Sequence, residues 1–322
     1  MKKAYLGLFF IAIVALSACS QPTNSAEKKI SNETKTGKTV LQIKDMAGRT
    51  VRFEKKPQRI ITLTNSDMNI VYALGGKVVG RQTQDASGVD PKEAKSATQV
   101  GNTHDLNLEK IASLTPDVIV ASSEQNLKDV PALESLGAKV ILTGANSVDE
   151  IKQQTAILGK LVGAEERAKE LNNTLSKKEQ EVETAQAGKK VRALLVLGAP
   201  GSNYAALPSS LSGDTLRIAG GENVAENLKG VENFPQYAAL NIEKIVAEDP
   251  EVIFLMIHGG DEKETEMAFR KEMEQNEAWN STTAVKKGNI KVLPANLFGT
   301  NPGVRIDEAL TYMANQLNQV AK

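Results

Sequence analysis

Leu106-Asn107-Leu108-Glu109-Lys110-Ile111 runs on to Pro116-Asp117-Val118-Ile119. The pattern returns as Leu240-Asn241-Ile242-Glu243-Lys244-Ile245 and Pro250-Glu251-Val252-Ile253. The offset is 134 residues, and eight of the fourteen aligned positions are identical. A repeat this far apart exceeds any solenoid period, so it predicts two similar lobes rather than stacked small units. The only two histidines bracket it: His104 precedes the first copy and His258 follows the second. Two lobes enclose a cleft, and imidazole is a side chain suited to hold iron in one.

Outward from the repeat, apolar strands alternate with helices. In the first half, Arg59–Leu63, Lys77–Gly80, Val118–Ala121 and Lys139–Leu142 read as strands. Asp67–Leu74, Leu108–Leu114 and Pro131–Leu136 read as helices. In the second half Val191–Leu197, Val252–Ile257 and Ile290–Leu293 read as strands. Ser212–Ala219, Asn241–Ala247, Lys263–Gln275 and Arg305–Val320 read as helices. Apolar strands separated by helices are the pattern of parallel α/β sheets. Between the halves, Ser147 with Glu150 three residues on forms a capping box. Ala168, Leu171, Leu175 and Val182 then mark one buried stripe, and Gly163 is a candidate break before it. A helical connection between the lobes predicts a stiff strut rather than a wide hinge.

The amino end sets the expected address. Lys2 and Lys3 precede an apolar run, Leu6 to Leu16, too short for a membrane span, and Leu16-Ser17-Ala18-Cys19 closes it. These four residues resemble a bacterial lipobox, which predicts a lipid-anchored Cys19 at the outer face of the cell membrane. Residues 1–18 then form a signal peptide and 19–39 a polar tether unable to bury a core. The remainder divides into an N-terminal α/β lobe (40–148), a connecting helix (149–187) and a C-terminal α/β lobe (188–322). With 39 basic and 39 acidic residues there is no net charge, so no nucleic-acid partner is expected. Cys19 is the only cysteine, which excludes a disulfide framework, a thiolate metal site and a cysteine nucleophile.

Catalysis finds little support. No Gly-x-Ser-x-Gly, Walker loop, His-Glu-x-x-His or Gly-x-Gly-x-x-Gly occurs, and Gly198-Ala199-Pro200-Gly201-Ser202 lacks the lysine of a nucleotide loop. The chain reads as no enzyme. His104 lies in a polar loop, and His258 ends a buried strand, the edge where open α/β sheets bind ligands. Two histidines are too few for a closed zinc or ferrous site. They suffice as axial ligands of a heme, whose ring supplies four nitrogens.

Several segments carry a family resemblance over essentially the whole chain. They are Gly198-Ala199-Pro200-Gly201-Ser202, Ile218-Ala219-Gly220-Gly221-Glu222-Asn223-Val224, His258-Gly259, Phe269-Arg270-Lys271-Glu272, Gln275-Asn276-Glu277-Ala278-Trp279 and Ala284-Val285-Lys286. The chain resembles the class III substrate-binding lipoproteins of bacterial ABC importers. Within them it looks closest to the heme receptors of iron-regulated surface determinant systems. The Ala-Gly-Gly-Glu-Asn segment is shared with siderophore and cobalamin receptors and identifies only the wider group.

The resemblance implies two Rossmann-like lobes joined by a single long α-helix. It implies heme as the transported ligand, and an ABC permease dimer with its ATPase as partners. A histidine at the place of His258 is an axial ligand in those receptors. Their other ligand is a methionine in a Gly-x-x-Met-x-x-Asn context, where this chain has Gly101-Asn102-Thr103-His104-Asp105-Leu106-Asn107. Ligation by His104 and His258 is therefore expected. Glu109 and Glu243 take the places of the carboxylates that dock on the permease. Asn65 and Ser66, and Ser202, Asn203 and Tyr204, are read as residues at helix starts after each lobe's first strand, where propionates would find donors. Met68 is a further candidate for the pocket. The rival ligands are a ferric siderophore or a cobalamin-type compound, and a rival class is a surface enzyme that degrades or metalates porphyrin.

Overall fold

The computed structural model describes residues 39–83, 91–102, 105–188, 190–199, 202–258 and 261–321. The signal segment, Cys19, nearly all of the tether and His104 lie outside the described residues. Among the described residues, no helix is long and apolar enough to cross a membrane.

The first half begins with an antiparallel pair, β1 (Leu41–Lys44) and β2 (Thr50–Phe53), that the apolar pattern did not announce. A parallel sheet follows, in the order β5-β4-β3-β8-β9. Its members are β3 (Ile60–Thr62), β4 (Gly80–Arg81), β5 (Thr98–Gln99), β8 (Val118–Ser122) and β9 (Lys139–Thr143). Lys77–Val79, expected as strand, leads into the two-residue β4 instead. A small antiparallel pair, β6 (Gly101–Asn102) and β7 (Asp105–Leu106), lies outside this sheet. Helices α1 (Asn65–Ala73), α2 (Leu108–Ser113) and α3 (Val130–Ser135) connect the strands.

The connection between the lobes is helical, but it is not the single long helix expected: Gly163 breaks it into two. Helix α4 (Val148–Val162) ends with Gly163 in the left-handed conformation, and α5 (Glu165–Gln186) follows. Contacts run in antiparallel register: Gly159 meets Ala168, while Lys152 lies 2.5 Å from Glu179 and its carbonyl accepts the Asn172 amide at 2.8 Å. The two helices therefore form a hairpin. Each reaches both cores: Val148 and Ile151 of α4 and Leu175 and Val182 of α5 pack in the second lobe, and Leu158, Leu161 and Ala168 in the first.

The second half carries a seven-stranded mixed sheet, ordered β13-β14-β11-β10-β15-β16 with β12 also on β10. The strands are β10 (Val191–Ala199), β11 (Ser202–Ala206), β12 (Gly221–Asn223), β13 (Gly230–Val231), β14 (Phe234–Ala239), β15 (Val252–Ile257) and β16 (Ile290–Val292). The helices are α6 (Leu211–Ile218), α7 (Ile242–Ala247), α8 (Glu262–Gln275), α9 (Thr283–Lys286), α10 (Ala295–Phe298) and α11 (Ile306–Val320). Every residue of β15 is buried, which is why it reads as an unbroken apolar run.

The repeat is structural as well as sequential. Asn107 and Asn241 cap α2 and α7, accepting from the N–H groups of Lys110 (2.9 Å) and Lys244 (3.0 Å). Ile111 and Ile245 are fully buried. Thr115 and Asp249 then stop their helices at φ of 41° and 44°, a conformation disfavoured for residues with a side chain. Arg59 and Arg192 hold both stops. Arg59 Nε donates to the Leu114 carbonyl at 2.9 Å, and Arg192 Nε donates to that of Asp249 at 3.0 Å. Asp117 and Glu251 accept from the backbone N–H groups of the same two arginines at 3.0 and 3.1 Å.

Two tests follow from these contacts. A Cβ on Gly159 would lie 2.5 Å from that of Ala168, so Gly159→Val forces the hairpin apart. We expect a loss of about 1–3 kcal/mol, read by urea titration. The single tryptophan, Trp279, is buried in the second lobe and should report this lesion from the first, in one transition. Hydrogen bonds from the Gln58 and Arg59 amides, with Lys55 adding charge, hold the Asp117 carboxyl below the ordinary value of 3.8. A depressed carboxyl stabilises above its unfolded pKa and loses that contribution as pH falls through the folded one. Asp117→Asn should therefore be less stable than the wild type at pH 6, with the gap in melting temperature closing below pH 3.8.

Candidate functional site

On the first lobe the site begins where β3 ends. Thr64 caps α1: its hydroxyl oxygen accepts from the Asp67 N–H at 3.1 Å and its hydroxyl donates to the Asp67 carboxylate at 2.5 Å. The Thr143 hydroxyl and the Gln154 amide donate to the same fully buried carboxylate, each at 2.7 Å. Burial pushes the Asp67 carboxyl up, and the three donors work against that push. Asp67 thus fastens α1 to β9 and to α4.

Asn65 and Ser66 occupy the first two positions of this helix, at 7 and 6% exposure. The Ser66 hydroxyl is engaged, 3.1 Å from Thr64 and 3.4 Å from Gln154. Both polar atoms of the Asn65 side chain are buried without a hydrogen-bond partner among the described residues. Leaving such a group unpaired costs about 1–3 kcal/mol, so its retention beside a helix start favours a polar group arriving there. Met68 does not join them. It is 1% exposed and packs inside the first lobe with Ile70 and Val71, filling core rather than facing a cleft.

On the second lobe one expectation is overturned. Ser202, Asn203 and Tyr204 are not at a helix start but form the head of β11, paired antiparallel with Ala199, Gly198 and Leu197 of β10. A glycine-rich stretch after a strand can lead into a helix or into a hairpin, and here the chain returns as a strand from Ser202. The first helix of this lobe starts later, at Leu211, capped by the Ser210 hydroxyl oxygen, which accepts from the Gly213 N–H at 3.0 Å. The Asn203 amide is already committed, donating to Glu272 at 2.7 Å.

His258 follows β15 directly and is exposed. Its backbone N–H donates to the Gly198 carbonyl at 3.0 Å, which prolongs the β10–β15 pairing by one residue. The ring Nδ1 lies 2.7 Å from the Gly299 carbonyl oxygen, at the end of α10. The ring is therefore held at its far side while Nε2 has no partner among the described residues. His104 falls between β6 and β7, outside the described residues, and its neighbours are fixed by the Asp105 N–H donating to the Asn102 side chain at 2.9 Å. Glu109 and Glu243 sit in the first turns of α2 and α7, both exposed.

Contacts between the lobes add residues that the sequence reading missed. Glu124, in the loop after β8, accepts from the Asn146 amide at 2.6 Å and from the Gln236 amide of β14 at 3.1 Å. Burial, with the Glu124 charge adding to it, pushes the Tyr237 phenol up to about 12, so it remains a donor across the working pH range. Asn301 donates to Gln154 at 3.4 Å, and Gly303 brings the carboxyl-terminal segment against Ser66 and Ile70. Polar loop residues of this kind carry no periodicity, and their pairing depends on the two lobes already being side by side.

Comparison with known proteins places this arrangement. The high-affinity heme uptake system protein IsdE of Staphylococcus aureus strain MRSA252 is 28% identical over 311 residues, 96% of this chain and 95% of the relative. The crystal structure of S. aureus IsdE complexed with heme superposes with a TM-score of 0.72 at 28% identity, covering 80% of this chain and 98% of that one. An ABC transporter substrate-binding protein from Listeria monocytogenes EGD-e gives 0.73 at 26% identity, covering 82 and 100%. The family profile described as periplasmic binding protein matches residues 60–297. With its two α/β lobes, braced by a helical connection and facing each other across polar loops, the chain belongs to the periplasmic binding proteins.

Proposed function

We propose that this protein is a heme receptor, tethered by a lipid on Cys19 outside the cell membrane, that hands heme to an ABC permease. The observation that carries the reading is His258, an exposed imidazole at the carboxyl end of β15, anchored by backbone and ring and without a partner at Nε2 among the described residues. The 28% identity to a heme uptake protein over 96% of the chain points the same way. His104, in the first lobe, is the second axial ligand. Bis-histidine ligation favours ferric heme more than a Met/His pair does, because a thioether ligand raises the reduction potential.

The amino end of α1 offers a seat for a propionate. It combines the positive end of a nine-residue helix with the Asn65 amide, unpaired among the described residues. Ser202 and Tyr204 stand on a strand of the second lobe and are half-buried, so side-chain hydroxyls are what they would offer. Glu109 and Glu243 provide the matched carboxylates that fix register on a two-fold permease, a role that fits their exposure and equal placement.

Visible spectroscopy of the purified protein with added hemin tests the reading. A low-spin Soret and Q-band pattern is expected, and no spectral change on adding hemin overturns it in favour of a siderophore or cobalamin-type ligand. His258→Ala and His104→Ala should each give a five-coordinate spectrum and weaker retention. An unchanged low-spin spectrum in both would refute the ligand pair. Loss of the Soret band on incubation with a reductant would point to a porphyrin-degrading enzyme. Glu109→Ala combined with Glu243→Ala should leave heme binding intact and impair uptake by cells.

A further inference from the structure

Among the described residues, the carbonyl oxygen of Gly299 is the one partner of the His258 ring. The φ of Gly299 is −73° and its ψ −24°, ordinary helical values open to any residue, so conformation does not demand glycine here. Space does. A Cβ at this position would lie 2.5 Å from the Ile257 carbonyl oxygen, 2.8 Å from that of Ala295 and 3.3 Å from the Ala295 Cα. All three are backbone atoms, which cannot swing aside as a flexible side chain would. The end of α10 therefore sits against the end of β15 at a distance only a bare Cα permits. That closeness brings the carbonyl within 2.7 Å of the imidazole attached to the next residue of the strand.

We propose that Gly299 is a positioning residue for the ligating imidazole, and this rests on the heme reading above. A backbone carbonyl can only accept, so Nδ1 must carry the hydrogen. The neutral ring is thereby fixed in the tautomer whose Nε2 lone pair is exposed. An imidazole that donates its second N–H to an acceptor is oriented before the metal arrives, and it is also the more basic ligand. The His258 amide, donating to the Gly198 carbonyl at 3.0 Å, fixes the other end of the residue. Since a glycine carbonyl has no side chain to mark it, the partner is visible only in the fold.

The chain has two histidines, so a long-range proton–nitrogen correlation spectrum of the ligand-free, histidine-labelled protein contains two rings. The spectrum of His104→Gln assigns the remaining signals to His258. At pH 8, the His258 ring should show the Nδ1–H tautomer alone; the Nε2–H tautomer, or a fast-exchanging mixture, overturns the proposal whatever heme does. Gly299→Ala should give mixed tautomers and a roughly 10- to 100-fold weaker affinity for ferric heme. Ile253→Val, a core change within the same strand, should alter neither and so separates positioning from general destabilisation. If Gly299→Ala retains both the tautomer and the affinity, the glycine is not needed and the proposal fails. Should Gly299→Ala not fold, the wild-type tautomer still decides. The expected tautomer in a wild-type protein that ignores hemin overturns the heme reading instead, and leaves the ring geometry standing.

Discussion

The antiparallel packing of α4 on α5 is the interaction on which the rest of the molecule depends. Neither lobe completes its core without it: Leu158 and Leu161 close the first from α4, and Leu175 and Val182 close the second from α5. Gly159 permits the approach and Lys152 ties it, bonded to both Asp149 and Glu179. Burial of that ammonium works against its charge, while the two carboxylates restore it, so Lys152 titrates above an ordinary lysine. The gap between the lobes is set by packed helices and not by extended linkers. Glu124 and Asn301 add polar bonds across the same gap.

With the gap fixed in this way, the cleft walls need only hold their groups still. Asp67 does so on one side, drawing Thr64, Thr143 and Gln154 around a buried carboxylate at the start of α1. Asn65 sits beside this saturated network with nothing to bond among the described residues. On the second lobe His258 has its backbone and Nδ1 engaged and no partner at Nε2 among the described residues.

Much of this was legible in the chain. The repeat announced two lobes because Asn caps, a buried Ile and a buried strand each demand particular residue types at fixed spacing. His258 could be placed at a strand end because β15 is buried on both faces and so reads as a continuous apolar run. Arg59 and Arg192 escaped notice because they stand 133 residues apart, one short of the repeat offset, although they do the same work. Ser202 to Tyr204 were misplaced because a short polar stretch after glycines fits a hairpin as readily as a helix start. Met68 has the composition of either a core residue or a soft ligand, and only its burial separates the two. Glu124, Gln236 and Gly299 were beyond reach, since their partners are brought to them by tertiary structure.

Because the hairpin threads both cores, each half of this protein depends on helices that also pack in the other. A cut after Gln186 would strip Val148, Ile151, Leu175 and Val182 from the carboxyl-terminal piece and leave them bare on the other. Any recombination that exchanges one lobe must carry the hairpin with it, matched to the surface it will meet on the lobe left behind.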